Sequence, residues 1–137
     1  MKRFLVLCVA CLSLHSAYAQ TASRRLTTID ALRRFSGYFH LQNVVLRGEL
    51  VENGRRVSLR SGDSEMQVML NDVNAVDGPV EVRGQLLDIG RLTAADPRLG
   101  RYENKPDPEH WPMPGEELVL SVTSVAKAAI DGAATIR

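Results

Sequence analysis

From Val44 to Val51 apolar and polar positions alternate. Val44, Leu46, Gly48 and Leu50 share one side, and Val45, Arg47, Glu49 and Val51 the other. A period of two with β-branched residues predicts a half-buried strand. Asn53-Gly54 follows as a hairpin signal, and Val57–Arg60 predicts the returning strand. Ser61-Gly62-Asp63 predicts another turn, after which Glu65–Leu70 alternates with Met66, Val68 and Leu70 inward. The short, turn-rich link Asn71–Gly78 leads to a fourth strand, Val80–Leu92, with Val80, Val82, Gly84 and Leu86 inward. Leu118–Val125 predicts the fifth strand.

Ahead of the strands, Thr27–Phe35 predicts a short helix. Thr28 can cap its first turn, Asp30 suits the positive end and Gly37 can close it. Ile29, Leu32 and Phe35, three residues apart, form its apolar stripe. Thr93–Glu117 differs in kind: it holds five of the six prolines and the only Trp, with neither period. Long stretches of this type are functional or disordered, and this one is read as a single ordered loop. Ala126–Arg137 is alanine-rich and predicts a final helical turn or a frayed tail.

One nine-residue pattern recurs, as LRGELVENG at Leu46–Gly54 and VRGQLLDIG at Val82–Gly90. A closed sheet of five strands is small, so its longest strands must bend sharply, and glycine permits the bend. Gly48 and Gly84 are therefore the expected coiling points of the first and fourth strands. Gene duplication is the competing account, but no other part of the chain repeats. Val44-Val45-Leu46-Arg47-Gly48-Glu49-Leu50 and Val80-Glu81-Val82-Arg83-Gly84-Gln85-Leu86 resemble an OB-fold, in particular the bacterial periplasmic OB-fold family, over roughly residues 27–125. The resemblance implies an all-β, five-stranded Greek-key barrel over 43–125, preceded by a helix and lead-in at 20–42. It also implies a binding role, since OB-folds take oligonucleotides or oligosaccharides across strands two and three and the loops after strands one and four.

The ends set the expected compartment. Met1-Lys2-Arg3, the apolar run Phe4–Leu14 and Ala17-Tyr18-Ala19 predict a signal peptide, residues 1–19, cut after Ala19. The run is too short to span a bilayer, against a retained anchor. Both cysteines, Cys8 and Cys11, fall inside it, and Cys11 lacks the leucine three places earlier that a lipoprotein would show. A periplasmic or secreted chain without disulfides is expected, with no transmembrane segment in the mature chain. Losing Lys2 and Arg3 leaves fifteen cations against sixteen acids, without the basic excess of a nucleic-acid binder.

Motifs for catalysis are missing. His40 and His110 lack a second histidine at ligand spacing, so no metal site is expected. There is no nucleophile elbow, phosphate-cradling loop or zinc-protease motif, and a non-enzymatic protein without cofactor is expected. The expected outward residues of the second and third strands, Ser58, Arg60, Glu65, Gln67 and Met69, include no ring on which a base could stack. The loops carry more chemistry. Arg55 and Arg56 sit at a hairpin tip, while Arg91, Arg98 and Arg101 open the long loop beside Tyr102, His110 and Trp111. If both loops meet at one mouth, these eight residues form a ligand site in which Arg forks could hold an anion. The plainer account is local neutralisation by Asp96, Glu103, Asp107, Glu109, Glu116 and Glu117. Trp111 is expected to pack down over the sheet rather than present its indole. The leading reading is a binding module of the cell envelope for a protein or small anionic ligand. The alternatives are a general nucleic-acid or oligosaccharide binder and an assembly partner in an envelope complex.

Overall fold

The computed structural model describes residues 25–128. The expected signal peptide with Cys8 and Cys11, and tail residues 129–137, lie outside the described residues. The chain forms β1 (Arg25–Leu26), α1 (Ile29–Arg34), α2 (Ser36–Phe39), β2 (Asn43–Asn53), β3 (Arg56–Ser61), β4 (Ser64–Met69), β5 (Pro79–Asp88) and β6 (Leu118–Lys127). Three single 3-10 turns, Ile89–Arg91, Pro97–Leu99 and Pro108–His110, lie between β5 and β6. β1 was not expected. It pairs parallel with β2 at Val44 and Val45. The last strand also runs on to Lys127, two residues into the expected tail.

Thr28 caps α1 as expected, accepting from the Ala31 N–H at 3.1 Å. Ile29 and Leu32 are buried, but Phe35 is more than half exposed. Steps of three residues fall short of a 3.6-residue turn by about 60° each, which leaves Phe35 about 120° from Ile29. The backbone also leaves helical geometry at Phe35, with φ −122° and ψ 40°. Gly37 does not close the helix. It lies within α2, and Leu41, with φ 63°, takes the left-handed position past the helix end.

Five strands close in a ring, in the order β2-β3-β4-β6-β5 and back to β2. Within the ring every pairing is antiparallel except β4 with β6, which joins Gln67–Met69 to Val119–Ser121. β2 serves two neighbours in the ring, holding β5 along Asn43–Glu49 and β3 along Glu49–Asn53. β5 does likewise with β2 and β6.

The two repeated glycines occupy equivalent places in this arrangement. Gly48 faces Val80 and Gly84 faces Val44, so they sit at diagonally opposite corners of the β2–β5 ladder. A Cβ on Gly48 would lie 2.3 Å from the carbonyl oxygen of Arg60 in β3. One on Gly84 would lie 2.3 Å from that of Ser121 in β6. At each corner a third strand crosses close over the bend, and only hydrogen leaves it room. The β5–β6 register slips at the same point: Arg83 pairs with Ser124 and Gly84 with Val122, leaving Thr123 as a bulge.

Two cores result. Inside the ring lie Val44, Leu46, Leu59, Met66, Val68, Val80, Val82, Leu86, Leu120 and Val122, joined by Ile29 and Leu32 from α1. The expected inward residues of β5 are all buried. A second cluster sits outside, where Met69, Leu87 and Val119 meet Ile89, Leu92, Leu99 and Tyr102 of the segment between β5 and β6. Met69, expected on a solvated face, does point out of the ring, but the long loop covers it. Among the described residues no helix is long and apolar enough to cross a membrane.

Gly84→Ala is expected to lower stability by about 1–3 kcal/mol, the usual cost of forcing atoms into filled space. A urea midpoint equal to the parent's would contradict the crowding at this corner.

Candidate functional site

The long loop is ordered from both ends. Asp88, at the end of β5, has a fully buried side chain, and both its oxygens accept from the Gly115 N–H at 2.9 Å. Arg91 Nε donates to the same carboxylate at 3.0 Å. A buried carboxylate is tolerated only with such partners. The Trp111 indole N–H donates to the carbonyls of Ile89 and Leu92 at 3.1 and 2.9 Å, and its ring packs against the outer core. Trp111 therefore packs down rather than facing solvent, as expected.

Where the loop's far edge meets the β2–β3 hairpin, a cleft of about 270 Å³ opens. Its walls come from four places: Arg55 and Val57 of the β2–β3 hairpin, Gln67–Leu70 at the end of β4, Asn71 and Asp72 in the link, and Arg101–Asn104 in the loop. Asn53 pairs with Arg56, so Gly54 and Arg55 are the two turn residues, and Gly54 has φ 63°. Only the first turn residue is left-handed, the II′ geometry that accepts Gly there and aims Arg55 outward. Asn71 and Asp72 are both left-handed, with φ 46° and 68°. Asn and Asp are among the few side chains that adopt this conformation readily. Asn71 Nδ2 ties the turn to β6, donating to Ser121 Oγ at 2.8 Å and the Val122 carbonyl at 3.3 Å. Asp72 pairs with Arg101 across the cleft.

Tyr102 closes the inner end. Its hydroxyl donates to Glu117 Oε1 at 2.6 Å and lies 3.1 Å from Gln67 Oε1. One phenol proton serves one acceptor, and the shorter contact takes it. Burial first, then the hydrogen bond to Glu117 and its charge, raise the phenol pKa well above its ordinary value. Tyr102 thus stays protonated and works as a fixed wall and donor.

The expected site residues divide between places. Arg55, Arg101 and Tyr102 meet in the cleft. Arg56 does not line it, although its charge acts on Tyr102. Arg91 pairs with Asp88 and lies against Gly37, whose Cβ, if present, would fall 2.8 Å from a guanidinium nitrogen. Arg98 pairs with Asp96. Both act electrostatically on His40. His110 is exposed, with Nδ1 3.7 Å from Asp107. The cleft thus receives two of the five arginines, and local neutralisation accounts for Arg91 and Arg98. Asn71, Asp72, Glu103 and Asn104 were missed. Only the tolerance of Asn71-Asp72 for left-handed backbone hinted at them.

The outward face of β3 and β4 carries Ser58, Arg60, Glu65 and Gln67, with Arg60 paired to Glu65 at 3.3 Å. It offers no aromatic platform. Among the described residues no group of three or more His, Cys, Asp or Glu could hold a metal ion.

His40 is the pH-sensitive element beside the loop base. Its Nδ1 accepts from the Asp88 backbone N–H at 3.1 Å, which requires the unprotonated nitrogen. Burial is the main cause of a lowered pKa; Arg91 and Arg98 add to it, while Asp88 and Asp96 oppose it. The unfolded chain then binds a proton near pH 6.5 that the folded chain refuses until lower pH. Stability is expected to be full above about pH 6.5 and to fall as pH drops from there through the folded pKa. Urea midpoints measured from pH 7.5 to 5.5 should show this slope. His40→Asn, which keeps an acceptor for the Asp88 N–H without titrating, should flatten it.

Comparison with known proteins adds no relative: no family model matches the chain, and no curated protein matches it.

Proposed function

We propose that the closed ring is an OB-fold barrel and that the chain is an exported, non-enzymatic binding module of the cell envelope. Its ligand carries an acidic group and enters the cleft between the β2–β3 hairpin and the long loop. The ring order and the one parallel seam between β4 and β6 support the fold reading. In that fold, ligands are held by the loops after the first and fourth barrel strands, here β2 and β5. Both segments border the cleft, together with the end of β4 and the link after it.

The observation that carries the reading is Arg55. It lines the cleft, is exposed, and has no ion-pair partner among the described residues. An unpaired guanidinium beside an apolar floor of Val57 and Met69 suits a carboxylate or phosphate on a small organic body. A nucleic acid fits less well, because the outward face of β3 and β4 lacks stacking rings.

A second reading, assembly with an envelope protein, draws on a different surface. Phe35, Tyr38 and Met113 are 54%, 64% and 66% exposed. Phe35→Ser with Tyr38→Ser should then remove any larger species seen on gel filtration of an envelope extract.

The cleft reading is tested with citrate as probe. Amide shifts are expected at Arg55, Asn71 and Tyr102 on titration, and Arg55→Ala with Arg56→Ala should weaken binding about tenfold or more, as expected for loss of one or two charged hydrogen bonds. Citrate binding that the double variant leaves unchanged would remove the cleft from consideration.

A further inference from the structure

The charges in the cleft are not of one sign. Arg55 and Arg101 face it, and so do Asp72 and Glu103. Asn71, Asn104 and Gln67 supply neutral donors and acceptors, and Val57, Met69 and Tyr102 an apolar floor. A simple anion attracted to Arg55 would also meet two carboxylates, and a simple cation would meet two guanidinium groups. Charges placed this way hold a ligand of one sign less tightly than a ligand that carries both.

From this juxtaposition we infer that the cleft selects a zwitterion, a small molecule with an acidic group at one end and an ammonium at the other, of the size and kind of a short peptide. The inference rests on the reading of the cleft as the binding site and names its ligand class.

The cleft's own ion pair shows how such a ligand enters. Arg101 and Asp72 are joined across the walls, yet their side chains are 65% and 81% exposed. An exposed pair in water is weak and exchanges readily. A zwitterion can replace it group for group: its carboxylate takes Arg101 with Arg55, and its ammonium takes Asp72 with Glu103. Two partners are already waiting, because Arg55 and Glu103 have none among the described residues. Both partners of the pair are re-engaged, whereas a ligand with a single charge would leave either Asp72 or Arg101 to water. Two points of the wall are anchored. Asn71 is tied to β6, and Tyr102 to Glu117, and these are the chain neighbours of Asp72, Arg101 and Glu103. At about 270 Å³ the cleft has room for a molecule of dipeptide size.

The test compares three probes on the chain from Gln20 onward, which keeps all the described residues with their strands and both cores: alanyl-alanine, its N-acetyl form and its C-terminal amide. Amide shifts in nitrogen-15 spectra report both affinity and place. Alanyl-alanine is expected to bind at least tenfold more tightly than either capped form, with shifts at Arg55, Asn71, Asp72 and Glu103. Glu103→Gln should weaken the free dipeptide and leave the N-acetyl form unchanged, and Arg55→Gln should weaken both. Both residues are exposed, so neither variant should disturb the fold, and an unchanged urea midpoint confirms this. Equal binding of the dipeptide and its N-acetyl form overturns the inference and leaves a plain anion site, which citrate would still detect. Shifts away from the cleft, or no binding of the free dipeptide, overturn it as well. If citrate also fails to bind, the cleft reading falls with it.

Discussion

A backbone carbonyl oxygen occupying the space of a missing side chain is the constraint on which the rest of the structure depends. Between strands of the ring it occurs twice, with Arg60 over Gly48 and Ser121 over Gly84. The strand that bends at each corner must leave one ladder and join another within a few residues, and the incoming strand then crosses its backbone at close range. Any Cβ would hold the two chains apart and the ring open. The nine-residue repeat follows from this geometry. β2 and β5 run antiparallel along one shared ladder, each with its bend at the same relative place, so each needs the same order of apolar residues, arginine and glycine. A two-fold relation between strands is enough, without duplicated ancestry.

Closure of the ring creates a second demand. The residues facing inward are satisfied by α1, which brings Ile29 and Leu32 into the core. The outward positions Met69, Leu87 and Val119 are apolar as well and lie side by side on β4, β5 and β6. Left bare they would form a patch of the kind that drives association. The long loop covers them with Ile89, Leu92, Leu99 and Tyr102, and its base is pinned by the buried Asp88 carboxylate. The prolines stiffen this cover. Two of them, Pro97 and Pro108, open 3-10 turns behind the side-chain caps Asp96 and Asp107. The cleft is a consequence of the same packing: it lies where the edge of the cover stops short of the β2–β3 hairpin.

Much of the fold was legible in single residues. Alternation placed the inward sides of β2, β4 and β5, the turn glycines Gly54 and Gly62 placed both hairpins, and Thr28 marked the helix start. These signals are local: a side chain's face in a strand depends on parity, and a turn on the φ its own residues tolerate. The errors were equally local in cause. Spacing alone puts Phe35 on the buried stripe, because it contains neither the drift of a true helix nor the kink at that backbone. Met69 was given to solvent because parity tells which side of a strand a residue faces, and not what lies over that side.

The candidate site was legible only in part, and for the same reason. Arg55, Arg101 and Tyr102 could be nominated because charge and rings in loops stand out in composition. That Arg91 would instead turn back to Asp88, and Arg98 to Asp96, depends on distances that only folding sets. That Asp72 and Glu103 would face Arg55 depends on three segments far apart in the chain meeting at one edge. The amino-acid order by itself determined the elements, their faces and the two glycine bends, since each of these is decided within a few residues by sterics and periodicity. Tertiary structure alone decided which charges share a cleft and which cancel, because an ion pair is a matter of distance in space, and the chain's order does not contain it.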